Sequence, residues 1–121
     1  MSRDDLESSS PLKVLFVCSR NRRRSLTAEH LFEGMAGVEV RSAGTQPAAR
    51  IPVTEGLLGW ADLIVVMEKS HLRRLEENYS EMLARKRIVT LHIPDEFEYM
   101  QAELIDELEA KALPLMAREG D

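Results

Sequence analysis

The chain has 121 residues, of which 44% are hydrophobic and 31% are charged, and its net charge is −5. This length predicts one domain with a hydrophobic core that needs no disulfide or structural metal. The composition excludes a uniformly basic nucleic-acid surface, and no apolar run approaches the length of a membrane span. The three histidines lie too far apart for metal-ligand spacing, so we expect neither metal nor cofactor.

The positive charge is concentrated in one part of the chain. Residues 13–50 contain seven basic and three acidic residues, whereas residues 92–121 contain two basic and nine acidic residues. The first stretch, MSRDDLESSSP, is polar and acidic, which predicts a disordered tail over residues 1–11 and no signal peptide. We therefore expect a cytoplasmic protein with one domain over residues 12–121, and no nucleic-acid or membrane partner.

Hydrophobic periodicity predicts strands that alternate with helices. Four short apolar runs are typical of buried strands: LKVLFV at 12–17, VEVRSA at 38–43, LIVVM at 63–67 and RIVTLHI at 87–93. Helical spacing follows the first, third and fourth runs, and Ser25 is a suitable N-cap for the first helix. The stretch GTQPAARIPVTEG is predicted to be a loop. This order predicts an α/β fold in three layers, with a four-stranded parallel sheet and helices on both faces.

The only cysteine, Cys18, follows the first predicted strand at its carboxyl end, where parallel sheets bind ligands. A single cysteine is more often a small core residue, and an arginine run is more often a solvated surface. A core cysteine, however, would not be followed at once by the polar stretch SRNRRRS. The combination therefore favours a reactive thiol in a basic loop.

A loop between a strand and a helix N-terminus can wrap a phosphate, because its N–H groups and the helix dipole both favour an anion. The same features stabilise a thiolate, which is the nucleophilic form of cysteine. Arg24 follows Cys18 after five intervening residues, and its guanidinium can bind two phosphate oxygens at once. Ser25 can donate its hydroxyl to the sulfur. Asn21 tolerates the left-handed conformation that such a loop requires.

The segments VCSRNRRRSLTAE, RSAGT and ADLIVVME resemble the low-molecular-weight protein tyrosine phosphatase family. The resemblance implies that Cys18 is the nucleophile and forms a phosphocysteine, at a phosphatase loop on the carboxyl end of the first strand. It also implies that Arg24 binds the phosphate, that Ser25 helps to activate the thiol and that Asn21 holds the shape of the loop. The residues expected to contact the substrate are Ser19, Arg20, Asn21, Arg22 and Arg23.

The chain departs from the family pattern near the loop. Arg20 stands where the family usually has glycine, Arg23 where it often has a second cysteine, and Leu26 where it has proline. The stretch between SAGT and ADLIVVM is much shorter than in the family, where it forms part of the substrate-binding wall. We therefore expect a shortened, divergent member, without a protective second thiol and with altered selectivity for phosphotyrosine.

A general acid should protonate the leaving oxygen and later activate water. The family uses an aspartate followed by proline near the C-terminus, and here the order is reversed in HIPDEFEYM. Asp95 is the candidate because it directly follows the fourth predicted strand, and Glu96 is the reserve. The alternative is that Asp95, Glu96 and Glu98 simply begin the last helix, where acidic residues suit the helix dipole.

Aromatic and basic side chains bear on the choice of substrate. Phe97 and Tyr99 could line the pocket mouth or lie in the core, and Trp60 could replace part of the missing wall. The other loop arginines would favour a strongly anionic substrate, either a phosphopeptide with acidic flanks or a small molecule with several phosphates. Alternatively, they pair with the acidic C-terminal segment.

The predicted function is a cysteine-dependent phosphatase that hydrolyses a phosphomonoester, in the first instance protein phosphotyrosine. Its partner would be a phosphorylated protein or a small phosphomonoester, and no cofactor is needed. The alternative is a catalytically weak phosphate-binding module that recognises a phosphoprotein or a phosphorylated metabolite. An arsenate reductase of this architecture would need further cysteines, and a phosphocysteine carrier would not be expected to keep an arginine at position 24.

Overall fold

The computed structural model describes residues 10–117. One parallel sheet has the strand order β2-β1-β3-β4, with β1 Leu12–Cys18, β2 Val38–Gly44, β3 Leu63–Val66 and β4 Arg87–Thr90. The helices are α1 Arg24–Phe32, α2 Glu55–Trp60, α3 Lys69–Leu83 and α4 Ala102–Met116. Of the predicted N-terminal tail, all but Ser10 and Pro11 lies outside the described residues.

The central strand β1 is buried on both of its faces. Val14, Phe16 and Cys18 pack in one core cluster with side chains of α1 and α4. Leu15 and Val17 pack in a second cluster with side chains of α2 and α3. Alternate residues of a strand point to opposite faces, so a strand covered on both sides reads as a continuous apolar run. The predicted three-layer α/β fold is confirmed.

A short helix, α2, lies in the region between the second and third strands that was predicted to lack one. Thr54 is its N-cap, and the Oγ1 of Thr54 accepts a hydrogen bond from the Leu57 N–H at 3.1 Å. Two glycines among its six residues give α2 a low intrinsic helix propensity, which hides it from a pattern-based prediction. The fully buried Leu58 anchors it against the sheet. Parallel strands require such a crossover connection.

The first helix begins at Arg24, and its N-cap residue Arg23 makes no side-chain capping bond. The prediction of Ser25 as the N-cap is therefore wrong. The Ser25 hydroxyl is fully buried and lies 2.9 Å from the sulfur of Cys18. A side chain that reaches back to the strand cannot also cap the helix.

The fourth strand ends at Thr90, earlier than predicted. The N–H groups of Leu91 and Ile93 still donate to carbonyls at the end of β3 and just beyond it. Between them, His92 has a φ of 59°, which breaks the strand geometry. The chain therefore leaves the sheet at its carboxyl edge and carries Asp95 there.

Residues 44–50, here called the bracing segment, pack along the loop that follows β1. Hydrogen bonds of 2.9, 3.1 and 3.0 Å join N–H groups of the bracing segment to consecutive loop carbonyls: Thr45 to Cys18, Gln46 to Ser19 and Arg50 to Arg20. In a trans peptide, a carbonyl and the following N–H point in opposite directions. The N–H groups of residues 19–21 therefore point away from the bracing segment.

The close approach of Gly44 to this loop can be tested by adding one methyl group. A Cβ at Gly44 would lie 2.5 Å from both the Ser19 carbonyl oxygen and the Ala49 Cβ, so the backbone would have to shift. We expect Gly44→Ala to lower the free energy of unfolding, measured in urea, by about 1–3 kcal/mol. Gly34→Ala is the control, because a Cβ there meets nothing within 4 Å. Equal destabilisation in the two variants would contradict the role given to Gly44.

Candidate active site

A cavity of about 290 Å³ opens at the carboxyl edge of the sheet. Most of its lining comes from the end of β1, the loop that follows and the first residue of α1, namely Cys18, Ser19 and the four arginines at positions 20, 22, 23 and 24, here called the loop arginines. Gln46 and Asp95 complete the lining. The structure thus brings together the residues that the sequence selected around the cysteine. Asn21 and Ser25 are fully buried and are not part of the lining.

Cys18 is a free cysteine with 3% of its surface exposed. The backbone N–H of Asn21 donates to its sulfur at 3.3 Å, and the Ser25 Oγ lies 2.9 Å from the sulfur. The Asn21 Nδ2 donates to the same Ser25 oxygen at 2.8 Å, so the hydroxyl proton of Ser25 is available for the sulfur. The Ala43 carbonyl, 3.5 Å away, is a weaker competitor for that proton. Two donors aimed at one sulfur stabilise a thiolate.

Asn21 adopts the left-handed conformation expected of it, with a φ of 59°. Its Oδ1 is buried and has no hydrogen-bond partner in the described part of the chain. A buried polar atom without a partner costs about 1–3 kcal/mol. The loop keeps Asn21 despite this cost, because Asn21 provides both the turn and the amide that orients Ser25.

Arg24 is 2% exposed and is held by the ends of two strands. Its Nη1 donates to the Glu68 Oε1 at 2.6 Å and to the Ile93 carbonyl at 2.8 Å, and its Nε lies 3.8 Å from the Asp95 Oδ1. Among residues 10–117, its Nη2 group makes no hydrogen bond. That side of the guanidinium is therefore available for an anion in the cavity.

Sequence reasoning missed Glu68 and assigned no role to His71. Glu68 lies just beyond the end of β3, so its position at the ligand-binding edge of a parallel sheet was a usable signal. The Nδ1 of His71 accepts the Glu68 N–H at 3.0 Å, which leaves the proton on Nε2. The Nε2 lies 2.9 Å from the Ser19 Oγ and donates to it. This buried imidazole thus joins the start of α3 to the loop.

Asp95 lies in the segment between β4 and α4 and lines the cavity with a side chain that is 59% exposed. Glu96 is exposed and does not line the cavity. The last helix begins only at Ala102, so the alternative that these acidic residues start it is wrong. The geometry favours Asp95 over Glu96 as the group nearest to a bound phosphate.

Aromatic side chains are absent from the lining of this cavity. Phe97 packs against the core on the α1 and α4 side of the sheet. The Tyr99 hydroxyl lies 2.5 Å from the His30 Nδ1, and Trp60 stacks under the Arg41 guanidinium at 4.3 Å. Of the two alternatives for Phe97, the core placement holds, and neither Tyr99 nor Trp60 lines the cavity, because each ring is engaged elsewhere.

The loop arginines divide between the two roles left open by the sequence. Arg23 lies 4.0 Å from Glu98, so one arginine does reach the acidic segment. Arg20 and Arg22 are exposed, line the cavity and form no ion pair with any described residue. Two positive side chains are thus free at the mouth of the cavity.

Comparison with known proteins agrees with this geometry. Residues 13–54, which contain β1, the loop, α1 and β2, match the family model described as low molecular weight phosphotyrosine protein phosphatase. A YwlE mutant from Bacillus subtilis is 25% identical, with 82% of this chain and 92% of that chain covered and a TM-score of 0.65. Over residues 13–54, the chain is similar to the low molecular weight phosphotyrosine protein phosphatase family. No curated protein matches the sequence.

Two further solved structures show how widely this fold is used. The tyrosine phosphatase Wzb from Escherichia coli K30, in complex with phosphate, is 22% identical over 87% of this chain and 96% of its own, with a TM-score of 0.70. A thioredoxin-dependent arsenate reductase from Corynebacterium glutamicum is 24% identical over 92% of this chain and 63% of its own, with a TM-score of 0.61. Proteins of the phosphatase family are phosphoric monoester hydrolases, which confirms the predicted enzyme class.

The described part of the chain shows neither a metal-binding cluster nor a membrane-spanning helix. Residues 10–117 contain no group of three or more histidine, cysteine or acidic side chains placed to hold a metal ion. None of the described helices is long and apolar enough to span a membrane.

Acid should destabilise the fold through His71. Burial, helped by the nearby Arg24, lowers the pKa of His71 from 6.5 to about 4. The unfolded chain therefore takes up this proton before the folded chain does, and stability falls as the pH drops from about 6.5 to about 4. We expect a loss of up to about 3 kcal/mol in the free energy of unfolding over that range.

Urea unfolding at several pH values would measure this loss. His71→Gln should remove that part of the pH dependence, whereas Ser19→Ala should keep it, because the imidazole stays buried. A wild-type slope that persists unchanged in His71→Gln would show that other groups cause the acid sensitivity.

Proposed function

We propose that the protein is a cysteine-dependent phosphatase that hydrolyses a phosphomonoester through a phosphocysteine on Cys18. The observation that carries this proposal is the convergence on one sulfur of the Ser25 hydroxyl and the Asn21 N–H, in a cavity shared with Arg24. Two donors directed at the sulfur suit a thiolate nucleophile, and the neighbouring guanidinium favours a phosphate in front of it.

In the first step, the Cys18 thiolate attacks phosphorus, so that an S–P bond forms while the bond to the leaving oxygen breaks. Asp95, as the acid form, gives its proton to that oxygen. The loop N–H groups and the free Nη2 side of Arg24 stabilise the negative charge on the other phosphate oxygens. Glu68 and the Ile93 carbonyl hold Arg24 in place, so little reorganisation is needed when the phosphate arrives.

In the second step, the Asp95 carboxylate takes a proton from a water molecule, which attacks the phosphocysteine. The S–P bond breaks and inorganic phosphate leaves. The thiolate returns to the two donors that stabilised it before the reaction. The cycle thus consumes one water for each phosphomonoester, and every protein group recovers its starting protonation state.

The comparisons support phosphotyrosine in a protein as the first substrate to test, since the matched family model is described as a phosphotyrosine protein phosphatase and a tyrosine phosphatase is similar in fold. YwlE from Geobacillus stearothermophilus, also similar in fold, is an arginine phosphatase. In this cavity the cationic guanidinium of phosphoarginine would lie near four arginines and only one acidic residue, Asp95, so the charge of the lining disfavours phosphoarginine as the substrate. The mechanism requires a reduced thiol, which fits the cytoplasm.

Two other functions fit the observations less well. Arsenate reduction coupled to thioredoxin ends in a disulfide, and this sequence contains one cysteine. A phosphate-binding module would need Arg24 and the loop but no acid. The position of Asp95 in the cavity, 3.8 Å from the Arg24 Nε, favours the enzyme.

Loss of the nucleophile should abolish turnover. We expect the reduced wild-type protein to hydrolyse p-nitrophenyl phosphate in the presence of EDTA, and Cys18→Ser to be inactive but still folded and able to bind phosphate. A phosphorylated Cys18, trapped by rapid acid quench and found by mass spectrometry, would identify the intermediate. A folded, reduced wild-type protein that turns over no phosphomonoester would overturn the phosphatase proposal and favour the binding module.

The decrease in kcat caused by removing the general acid should depend on the leaving group. We expect Asp95→Asn to lower kcat by about 10²–10⁴-fold on phenyl phosphate. The loss should be smaller on p-nitrophenyl phosphate, whose phenolate leaves without a proton. The alkaline fall-off of kcat should also disappear. Glu96→Gln is the matched control and should keep both properties. A large loss of kcat in Glu96→Gln, with little change in Asp95→Asn, would identify Glu96 as the general acid.

A further inference from the structure

The mouth of the cavity carries more positive charge than one phosphate needs. Four arginines line it, and Asp95 is the acidic residue in the lining. Arg24 is held against Glu68, and the loop N–H groups serve the same phosphate site. Arg20 and Arg22 remain, exposed and without an ion-pair partner in the described structure. Like charges confined to one small cavity repel one another, and a bound anion relieves that repulsion.

The cavity offers charge but no ring for an aromatic substrate. Its lining consists of polar or charged side chains apart from the cysteine, and Gln46 extends it along the bracing segment. Phenolic substrates gain affinity chiefly from apolar and aromatic contact, which this lining does not supply. At about 290 Å³, the cavity is also at the small end of the range for small-molecule sites.

We propose that the substrate is a small molecule with two phosphates, one cleaved at Cys18 and the other bound by Arg20 and Arg22. This inference rests on the proposed phosphatase function and adds a substrate class to it. Arginine suits this task because its planar guanidinium binds two phosphate oxygens at once. Arg20 and Arg22 are then residues that determine specificity, by contact with the part of the substrate that does not react.

Arg23 is not assigned to the second phosphate, because it has a partner within the chain. It lies 4.0 Å from Glu98, so its charge is partly compensated within the chain. Arg50, from the bracing segment, donates to the Asn21 carbonyl and lies 3.8 Å from Glu29, so it too has partners. The two uncompensated guanidinium groups are those that flank Asn21 in the loop.

A comparison of matched substrates tests the inference. The initial rate of phosphate release would be measured on fructose 1,6-bisphosphate and fructose 6-phosphate, with p-nitrophenyl phosphate as the reference for activity. We expect kcat/KM for the bisphosphate to exceed that for the monophosphate at least tenfold. The statistical factor for two esters is only about two. Added salt should reduce the ratio, because exposed charges are screened.

Arg20→Gln and Arg22→Gln should each lower that ratio about fivefold or more, mainly through KM for the bisphosphate. Arg85→Gln is the matched control, since this exposed arginine follows α3 at the opposite edge of the sheet and does not line the cavity. It should leave the ratio unchanged. A wild-type ratio near two, or a ratio that both loop variants retain, would overturn the inference.

A binding measurement distinguishes failure of this substrate inference from failure of the proposed catalysis. The Cys18→Ser variant would be titrated by calorimetry with the same two sugar phosphates, and we expect at least tenfold tighter binding of the bisphosphate. If p-nitrophenyl phosphate is not hydrolysed, the proposed function fails. The titration still shows whether the protein binds a second phosphate of the ligand. Faster turnover of an acidic tyrosine phosphopeptide than of the bisphosphate would overturn the small-molecule assignment in favour of a protein substrate.

Discussion

The site depends on the close packing of two backbone segments, the loop after β1 and the bracing segment that follows β2. Gly44 allows this contact, because a Cβ there would overlap the Ser19 carbonyl oxygen. Three loop carbonyls then bond to N–H groups of the bracing segment, which turns the loop N–H groups the other way. A donor-lined loop around the sulfur is thus a consequence of how two neighbouring parallel strands end.

The parallel sheet explains why residues distant in sequence meet around Arg24. Strands β1, β3 and β4 all end at the same edge, and a residue of the site lies at or beyond the end of each strand: Cys18, Glu68 and Asp95. Arg24 crosses between them and is bonded from both sides. A buried guanidinium needs such partners, since an unpaired buried charge is very costly. The partners that make its burial possible also fix the direction in which its free N–H groups point.

The arginines at the mouth of the cavity differ from the arginine within it in burial and in ion pairing. Arg24 is buried and paired, whereas Arg20 and Arg22 are exposed and unpaired within the described structure. In the proposed mechanism, the buried Arg24 orients the reacting phosphate with little reorganisation. Exposed charge at the rim acts over a longer range and selects ligands by their total charge. Under the proposed function, one loop sequence, CSRNRRRS, would contain both a reaction site and the residues that select its substrates.

The sequence by itself determined the α/β class, the strands and the loop residues around Cys18, because apolar runs and the cysteine–arginine spacing are local signals. It predicted that Asp95 lies at the carboxyl edge of the sheet, and Asp95 lines the cavity there although β4 ends five residues earlier, because the chain leaves the sheet at that edge. Only the tertiary structure revealed α2, whose glycine-rich residues are helical through burial of Leu58. It also revealed that Glu68 holds Arg24 and that His71 reaches Ser19, since contacts over long sequence separations follow from packing and leave no local pattern.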